Sequence, residues 1–186
     1  MISQLSGGGG ITGGVFSNDF VELHNSGNWP IDLSSYVLQF AAVPAGAIWT
    51  AAPLPAMTLP PGGYFLIAGA SGGSTLTDLP PADFTPDPEM PLNGNNGKLV
   101  LTRSATPLAV GCPALTDTVD VVGYGTGSCF EAMAVPRLTN ATSALRNDSG
   151  CADTDNNGAD FSVVTLTATT PPRNGMSPPH VCACAN

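Results

Sequence analysis

Apolar and polar residues alternate along much of this chain. Within residues 18–38, Val21 and Leu23 are interleaved with Glu22 and His24, the two-residue period of a strand with one dry face and one wet face. Asn25-Ser26-Gly27-Asn28 then supplies a turn, because Gly and Asn accept positive φ and Ser and Asn side chains bond nearby backbone. Trp29-Pro30-Ile31-Asp32-Leu33 re-enters the core, and Tyr36-Val37-Leu38 opens a second strand. Short runs of the same kind recur over 2–5, 36–41, 47–50, 64–68, 98–103 and 118–124, the last of the strands the pattern marks clearly. Turn clusters such as Pro60-Pro61-Gly62-Gly63 and Asn93-Gly94-Asn95-Asn96-Gly97 separate them. That spacing predicts an all-β fold. No stretch keeps a helical period long enough for an amphipathic helix. Trp49 is expected in the core or at an end of the sandwich, since a lone aromatic is more often buried than a ligand platform.

Composition changes the picture in one respect. The chain has 186 residues, enough for one domain with a sizeable core. Its 22 glycines and 18 prolines would signal disorder by themselves, but the 42% hydrophobic residues gather in strand-like runs. A domain over 1–173 is expected, followed by a Pro- and Cys-containing tail over 174–186 that can form little core. The tail is expected to serve as a disulfide anchor or a docking arm.

Charge then excludes partners. The net charge is −9, and the basic residues Lys98, Arg103, Arg137, Arg146 and Arg173 stand singly. A nucleic-acid surface needs clustered Lys and Arg to replace phosphate counterions, so no nucleic-acid partner is expected. The same deficit argues against an anionic membrane surface. The apolar runs are too short to insert into a membrane as a helix. No basic segment opens the chain and 7–10 is four glycines, so no signal peptide is expected within this numbering.

The stretch Asp19-Phe20-Val21-Glu22-Leu23-His24-Asn25, followed by Asp32-Leu33-Ser34-Ser35-Tyr36-Val37-Leu38, resembles the signature of the lamin-tail domain family. Leu59-Pro60-Pro61-Gly62-Gly63-Tyr64-Phe65-Leu66 is similar to that family's Leu-x-Pro-Gly-x-Tyr-x-Leu element, and Ile2-Ser3-Gln4-Leu5 to its first strand. Asp120-Val121-Val122-Gly123-Tyr124-Gly125 and the late Asp153-Thr154-Asp155-Asn156-Asn157 through Asp160-Phe161 resemble its bacterial, secreted branch. The motifs follow the family's order over roughly 2–173. The resemblance implies an immunoglobulin-like β-sandwich with long Gly/Pro-rich loops, used as an interaction or targeting module without defined chemistry. Nuclear members are associated with DNA and chromatin; the scarcity of basic residues sets this chain apart from them.

Five cysteines, Cys112, Cys129, Cys151, Cys182 and Cys184, are scattered through loop-like sequence. They lack the paired Cys-x2-Cys spacing of a zinc site and suit disulfides in an oxidising compartment. Cys112 with Cys129 would staple the loops flanking the strand at 119–122, and Cys151 would take Cys182 or Cys184. The odd thiol is left free or for another chain.

Three patterns invite chemistry. Gly7–Gly10 is glycine-rich, but neither Gly-Lys-Ser/Thr nor a helix follows, so a long turn is expected rather than a phosphate cradle. Gly69-Ala70-Ser71-Gly72-Gly73 fits a nucleophile elbow, which needs a strand before it and a helix after it. Ser-Thr-Leu-Thr-Asp-Leu-Pro-Pro over 74–81 is no helix, and His24 and His180 are the chain's histidines. The loop with Asp153, Asp155, Asn157 and Asp160 offers hard oxygens that suit calcium. It lacks the closing glutamate of an EF-hand, position twelve being Val164. The other reading is a turn whose Asp and Asn side chains bond local backbone. Asn140-Ala141-Thr142 and Asn147-Asp148-Ser149 fit the N-glycosylation pattern, and the Pro/Asp-rich stretch 79–91 reads as an extended contact loop.

The resulting expectation is a non-enzymatic extracellular or cell-surface module. It self-associates as an oligomer or polymer through strand edges and extended termini, with no cofactor beyond the calcium considered above. The alternatives are an accessory domain that targets a secreted enzyme such as a nuclease, and a small hydrolase using Ser71 or the Asp153/Asp155 loop.

Overall fold

The computed structural model describes residues 1–42, 48–104, 106–109, 111–112 and 118–183. Its strands are β1 (Ile2–Ser6), β2 (Asn18–His24), β3 (Ile31–Asp32), β4 (Val37–Ala41), β5 (Thr50–Pro53), β6 (Thr58–Leu59), β7 (Tyr64–Ser71), β8 (Gly97–Thr102), β9 (Thr118–Tyr124), β10 (Thr142–Arg146) and β11 (Phe161–Thr165). They make a five-stranded sheet in the order β11-β10-β1-β2-β7, a four-stranded sheet β5-β4-β8-β9 and a ribbon β3-β6. Every ladder between these strands is antiparallel. The fold is all-β, as the alternation predicts. Among the described residues, helical structure is limited to single turns at Leu33–Ser35, Asn147–Gly150 and Asn157–Asp160.

The two large sheets share one core, so the arrangement is sandwich-like. Leu5, Val21, Leu23, Phe65, Ile67 and Phe161 from the five-stranded sheet pack in one cluster with Leu38, Phe40, Leu99, Leu101, Val122 and Tyr124 from the four-stranded sheet. Burying each such side chain stabilises the fold by about 1.5–3 kcal/mol.

The wet face expected for β2 is not wet. Glu22 and His24 are as buried as Val21 and Leu23. On that outer face Phe20 and Leu66 pack with Phe16 and Leu166, and Phe16 meets Phe20 edge-to-face at 6.1 Å. The C-terminal tail covers the rest. The four-stranded sheet is also covered outside, where Trp49 packs with Ala41, Val100, Val121 and Cys129, and the Lys98 Nζ lies 5.0 Å from the Trp49 ring centroid. Trp49 is thus buried, whereas Trp29, expected to re-enter the core, is 81% exposed, and of 29–33 only Leu33 is buried.

Some boundaries differ from the sequence expectation. The strand expected at 47–50 starts among residues that are not described, and β5 runs from Thr50 to Pro53. β7 extends three residues beyond 68, to Ser71. The stretch 79–91 lies along β7 rather than looping away: the Ala68 amide donates to the Phe84 carbonyl, and the Ala70 amide to that of Met90. β10 and β11 follow the last strand the pattern marks. Their sequences, TSALR and FSVVT, carry mostly small or β-branched side chains and little apolar alternation, so pairing with β1 rather than local pattern makes them strands.

Candidate functional site

The densest polar assembly lies where the tail crosses β2 and β7. The register places Glu22 opposite Leu66 and His24 opposite Tyr64, so Glu22, His24 and Tyr64 share the outer face. The Glu22 carboxylate accepts the Arg173 backbone amide at 2.6 Å, Arg173 Nη2 at 2.7 Å and Nε at 3.1 Å. Ser3 Oγ donates to the same carboxylate. The guanidinium lies 3.9 Å from the Tyr64 ring centroid, and the Tyr64 ring stacks on His24 at 4.6 Å. Tyr64 OH donates to the Ser149 carbonyl at 2.8 Å. The result is a stack of guanidinium, phenol and imidazole beneath the tail.

His24 fastens the next part of the tail. Its Nε2 lies 2.9 Å from the His180 carbonyl and its Nδ1 3.2 Å from that of Gly150. Burial holds its pKa below the ordinary value against these two carbonyls, which favour the proton. Burial likewise raises the Tyr64 pKa, with Arg173 opposing. The His180 amide donates to the Gly62 carbonyl at 2.9 Å. Gly62 has φ 71°, and a Cβ there would lie 2.7 Å from the His180 carbonyl carbon, so the tail's approach requires glycine. The Cys151–Cys182 disulfide closes the assembly, with Cα atoms 5.6 Å apart. His24, Cys151 and Cys182 bring ligand-type atoms within 4.8 Å of one another; with the sulfurs bonded to each other, this is a disulfide packed on an imidazole.

A second assembly joins the sheets. Arg146 Nη2 binds both oxygens of Asp120 at 2.8 and 2.9 Å, and its Nε donates to the Ile2 carbonyl at 2.8 Å. Its guanidinium also lies 4.5 Å from the Phe161 ring centroid. Asp120 Oδ2 accepts the Ile2 amide as well.

The four residues considered for calcium take separate roles beside this pair. Asp153 Oδ1 lies 3.3 Å from Arg146 Nη1. Asp155 is exposed with φ 55°. Asn157 is buried and turned inward, donating to the Val121 carbonyl at 2.8 Å and to Glu131 Oε2 at 2.9 Å while accepting the Gly123 amide at 3.0 Å. Asp160 accepts the Thr154 amide and hydroxyl and the Asn156 amide. Burial raises the Asp160 pKa, but those donors and Arg146 outweigh it and hold it low. Among the described residues, Asp153, Asp155 and Asp160 do not bring their oxygens within 4.8 Å of one another.

Ser71 ends β7, exposed, its Oγ accepting the Gly73 amide at 3.3 Å. Its cross-strand partner is Asn18, whereas His24 pairs with Tyr64 at the other end of the ladder. No helix follows it. Ser71 borders a pocket of about 260 Å³ that also meets Gly9, Gly72 and Leu92. The acid there is Asp19, buried, accepting the Gly9 and Leu92 amides at 2.8 and 2.9 Å. Burial pushes its pKa up to about 7. Both glycosylation-pattern asparagines use their amide nitrogens within the chain: Asn140 Nδ2 donates to the Thr12 carbonyl and Asn147 Nδ2 to that of Ala159.

The disulfides are Cys112–Cys129 and Cys151–Cys182, the latter resolving the open choice in favour of Cys182. They suit an oxidising, extracellular environment. Cys184 lies outside the described residues. Sequence reading did not find the Glu22–Arg173 and Asp120–Arg146 pairs, whose partners lie 151 and 26 residues apart. A hint was present in Glu22 and His24 at alternate positions of one strand. Comparison with protein-family models, curated proteins and solved structures finds no match to this chain.

Proposed function

We propose that the chain is a non-enzymatic extracellular structural or interaction module, an immunoglobulin-like sandwich akin to lamin-tail domains, that associates with copies of itself. The observation that carries this reading is the destination of its polar groups. Carboxylates, guanidinium groups and imidazole from distant parts of the chain converge, but on each other and on backbone, and they hold strands and tail in place. A catalytic set would instead aim a nucleophile and a base at one open cavity. The disulfides favour an extracellular setting. The resemblance over 18–38 and 59–66 supports the sandwich assignment.

Of the two roles expected for the tail, disulfide anchor and docking arm, the Cys151–Cys182 bond supports the first. Residues 173–182 lie on their own domain, so strand edges rather than the tail are the means of association. Light scattering and electron microscopy of the purified protein at high concentration test the proposal. Dimers or larger assemblies are expected; a strictly monomeric protein defeats it. Ester and nucleic-acid substrates are expected to be left unchanged by the native protein and by Ser71→Ala alike.

A further inference from the structure

The two large sheets have four edges, and the chain treats them unequally. β7 is covered by 83–90, through the Phe84 and Met90 carbonyls and the Asp83 amide, which donates to Leu66. β9 is covered by Val135, which exchanges bonds with Gly123 and Gly125, and by the Asn157 side chain on Val121 and Gly123. At β5 the Leu54 amide donates to the Tyr36 carbonyl, so Ala52 and Thr50 also face inward, leaving Ala51 and Pro53 to face out. Pro53 has no N–H, so that edge offers little to a new strand.

β11 is different. The Leu166 amide donates to the Ala141 carbonyl, so by antiparallel alternation Val164 and Ser162 bond to β10, while Val163 and Thr165 turn their amides and carbonyls outward. Among the described residues nothing meets those outward groups. The strand has none of the usual edge protection: FSVVT contains no charge and no proline, and its register with β10 runs without a bulge. Val163 stands opposite core residue Ala144, yet is 38% exposed, as expected of a sheet that stops one strand short of covering its core.

The geometry points to β11 as the docking edge for a second copy of this chain, paired antiparallel about a two-fold axis through Val164, so that the two five-stranded sheets become one continuous sheet. This names the contact for the self-association proposed above and rests on that reading. The register follows from which groups are free. With Val164 facing its counterpart, each Val163 lies opposite the other copy's Thr165, and the outward amides and carbonyls of both satisfy one another. Centring the axis on Val163 would set Thr165 against Phe161, whose amide is already bonded to the Asn157 carbonyl. The second copy fits for a further reason: an uncharged edge lets two chains of net charge −9 meet without facing like charges across the new ladder. The remaining long-range repulsion is screened by salt, so association is expected to tighten as ionic strength rises.

Sedimentation velocity of the whole chain, over a concentration series, is the test. The native protein is expected to sediment as a dimer at high concentration. Val163→Pro removes an amide the fold itself does not use and is expected to leave a folded monomer. Val163→Lys, which keeps the amide but places a charge on the edge, is expected to weaken the dimer and guards against the proline variant failing to fold. In a Cys184→Ser background, Val164→Cys is expected to cross-link to its counterpart on oxidation, because facing Cα atoms in such a pair are about 4.5 Å apart, and Val163→Cys is not. A dimer that survives both Val163 variants overturns the assignment to β11 while leaving self-association standing. A native protein that stays monomeric throughout overturns both.

Discussion

Arg146 and Arg173 each bind a buried carboxylate, and the two pairs do different work. Arg146 and Asp120 show almost no surface, with 0% and 3% of their side chains exposed, and they tie β10 of one sheet to β9 of the other. Arg173 remains 25% exposed while Glu22 is fully covered, and that pair clips the tail to the outside of a sheet already built. The inner pair has carbonyl, carboxylate and ring partners on several sides, because a guanidinium enclosed without them would be far too costly. The outer pair also has a ring and a carbonyl beside it, from Tyr64 and Ser149, and is further reinforced by the Cys151–Cys182 bond. One pair belongs to the integrity of the sandwich, the other to the attachment of its cover.

That contrast can be broken in order of size. Arg146→Leu should be the most damaging change, costing about 3–5 kcal/mol in chemical denaturation because Asp120 is left buried and unpaired. The double change Arg146→Leu with Asp120→Leu should recover part of the loss. Replacing Cys151 and Cys182 by serine should cost about 2–4 kcal/mol, with protease sensitivity rising in the tail and the sheets retained by circular dichroism. Arg173→Ala should cost less, about 1.5–3 kcal/mol, the range for a hydrogen-bonded charge, and should add to the effect of losing the disulfide less than independently, since both hold one segment.

A smaller effect concerns pH. Burial raises Asp19 and Glu131 from ordinary values of 3.8 and 4.5 to about 7 each. Between those values the folded chain binds the proton that the unfolded chain releases. Their contribution therefore grows as pH falls from above 7 toward 4 and is lost as pH rises through 7. His24, held low by burial, acts in the opposite sense below 6.5. Glu131→Gln should therefore reduce the gain in melting temperature between pH 8 and pH 5 relative to the native protein. An unchanged difference would count against the raised value. The least effect is expected from calcium: with Asn157 and Asp160 already bonded inward, millimolar calcium should leave the melting temperature where it was.

Alternation in the sequence was enough to read most strands of the core. Val21, Leu23, Leu99 and Leu101 mark inward faces by their spacing, and burial against the facing sheet is what their period demands. β10 and β11 were not legible, since Ser143, Ala144 and Ser162 carry little hydrophobic signal and depend on partners more than a hundred residues away in β1 or on each other. The wetness expected of Glu22 and His24 failed for a related reason. Their cover, Arg173 and His180, lies about 150 residues downstream, and no local pattern encodes that return. The Cys112–Cys129 pairing was suggested by the two cysteines flanking one strand, and the bond is there. The acidic loop was legible in composition but not in direction: residue type gives oxygens, and only the fold decides whether they face one another or the chain.

The bond between Cys151 and Cys182 also has a topological effect. β11 lies between its ends, inside a closed covalent ring. A strand so enclosed is tethered on both sides, so lending it to a neighbour would mean moving a closed loop rather than a free end. The edge-to-edge pairing proposed above would therefore favour lengthening a sheet over trading parts, and dilution alone should return each molecule whole.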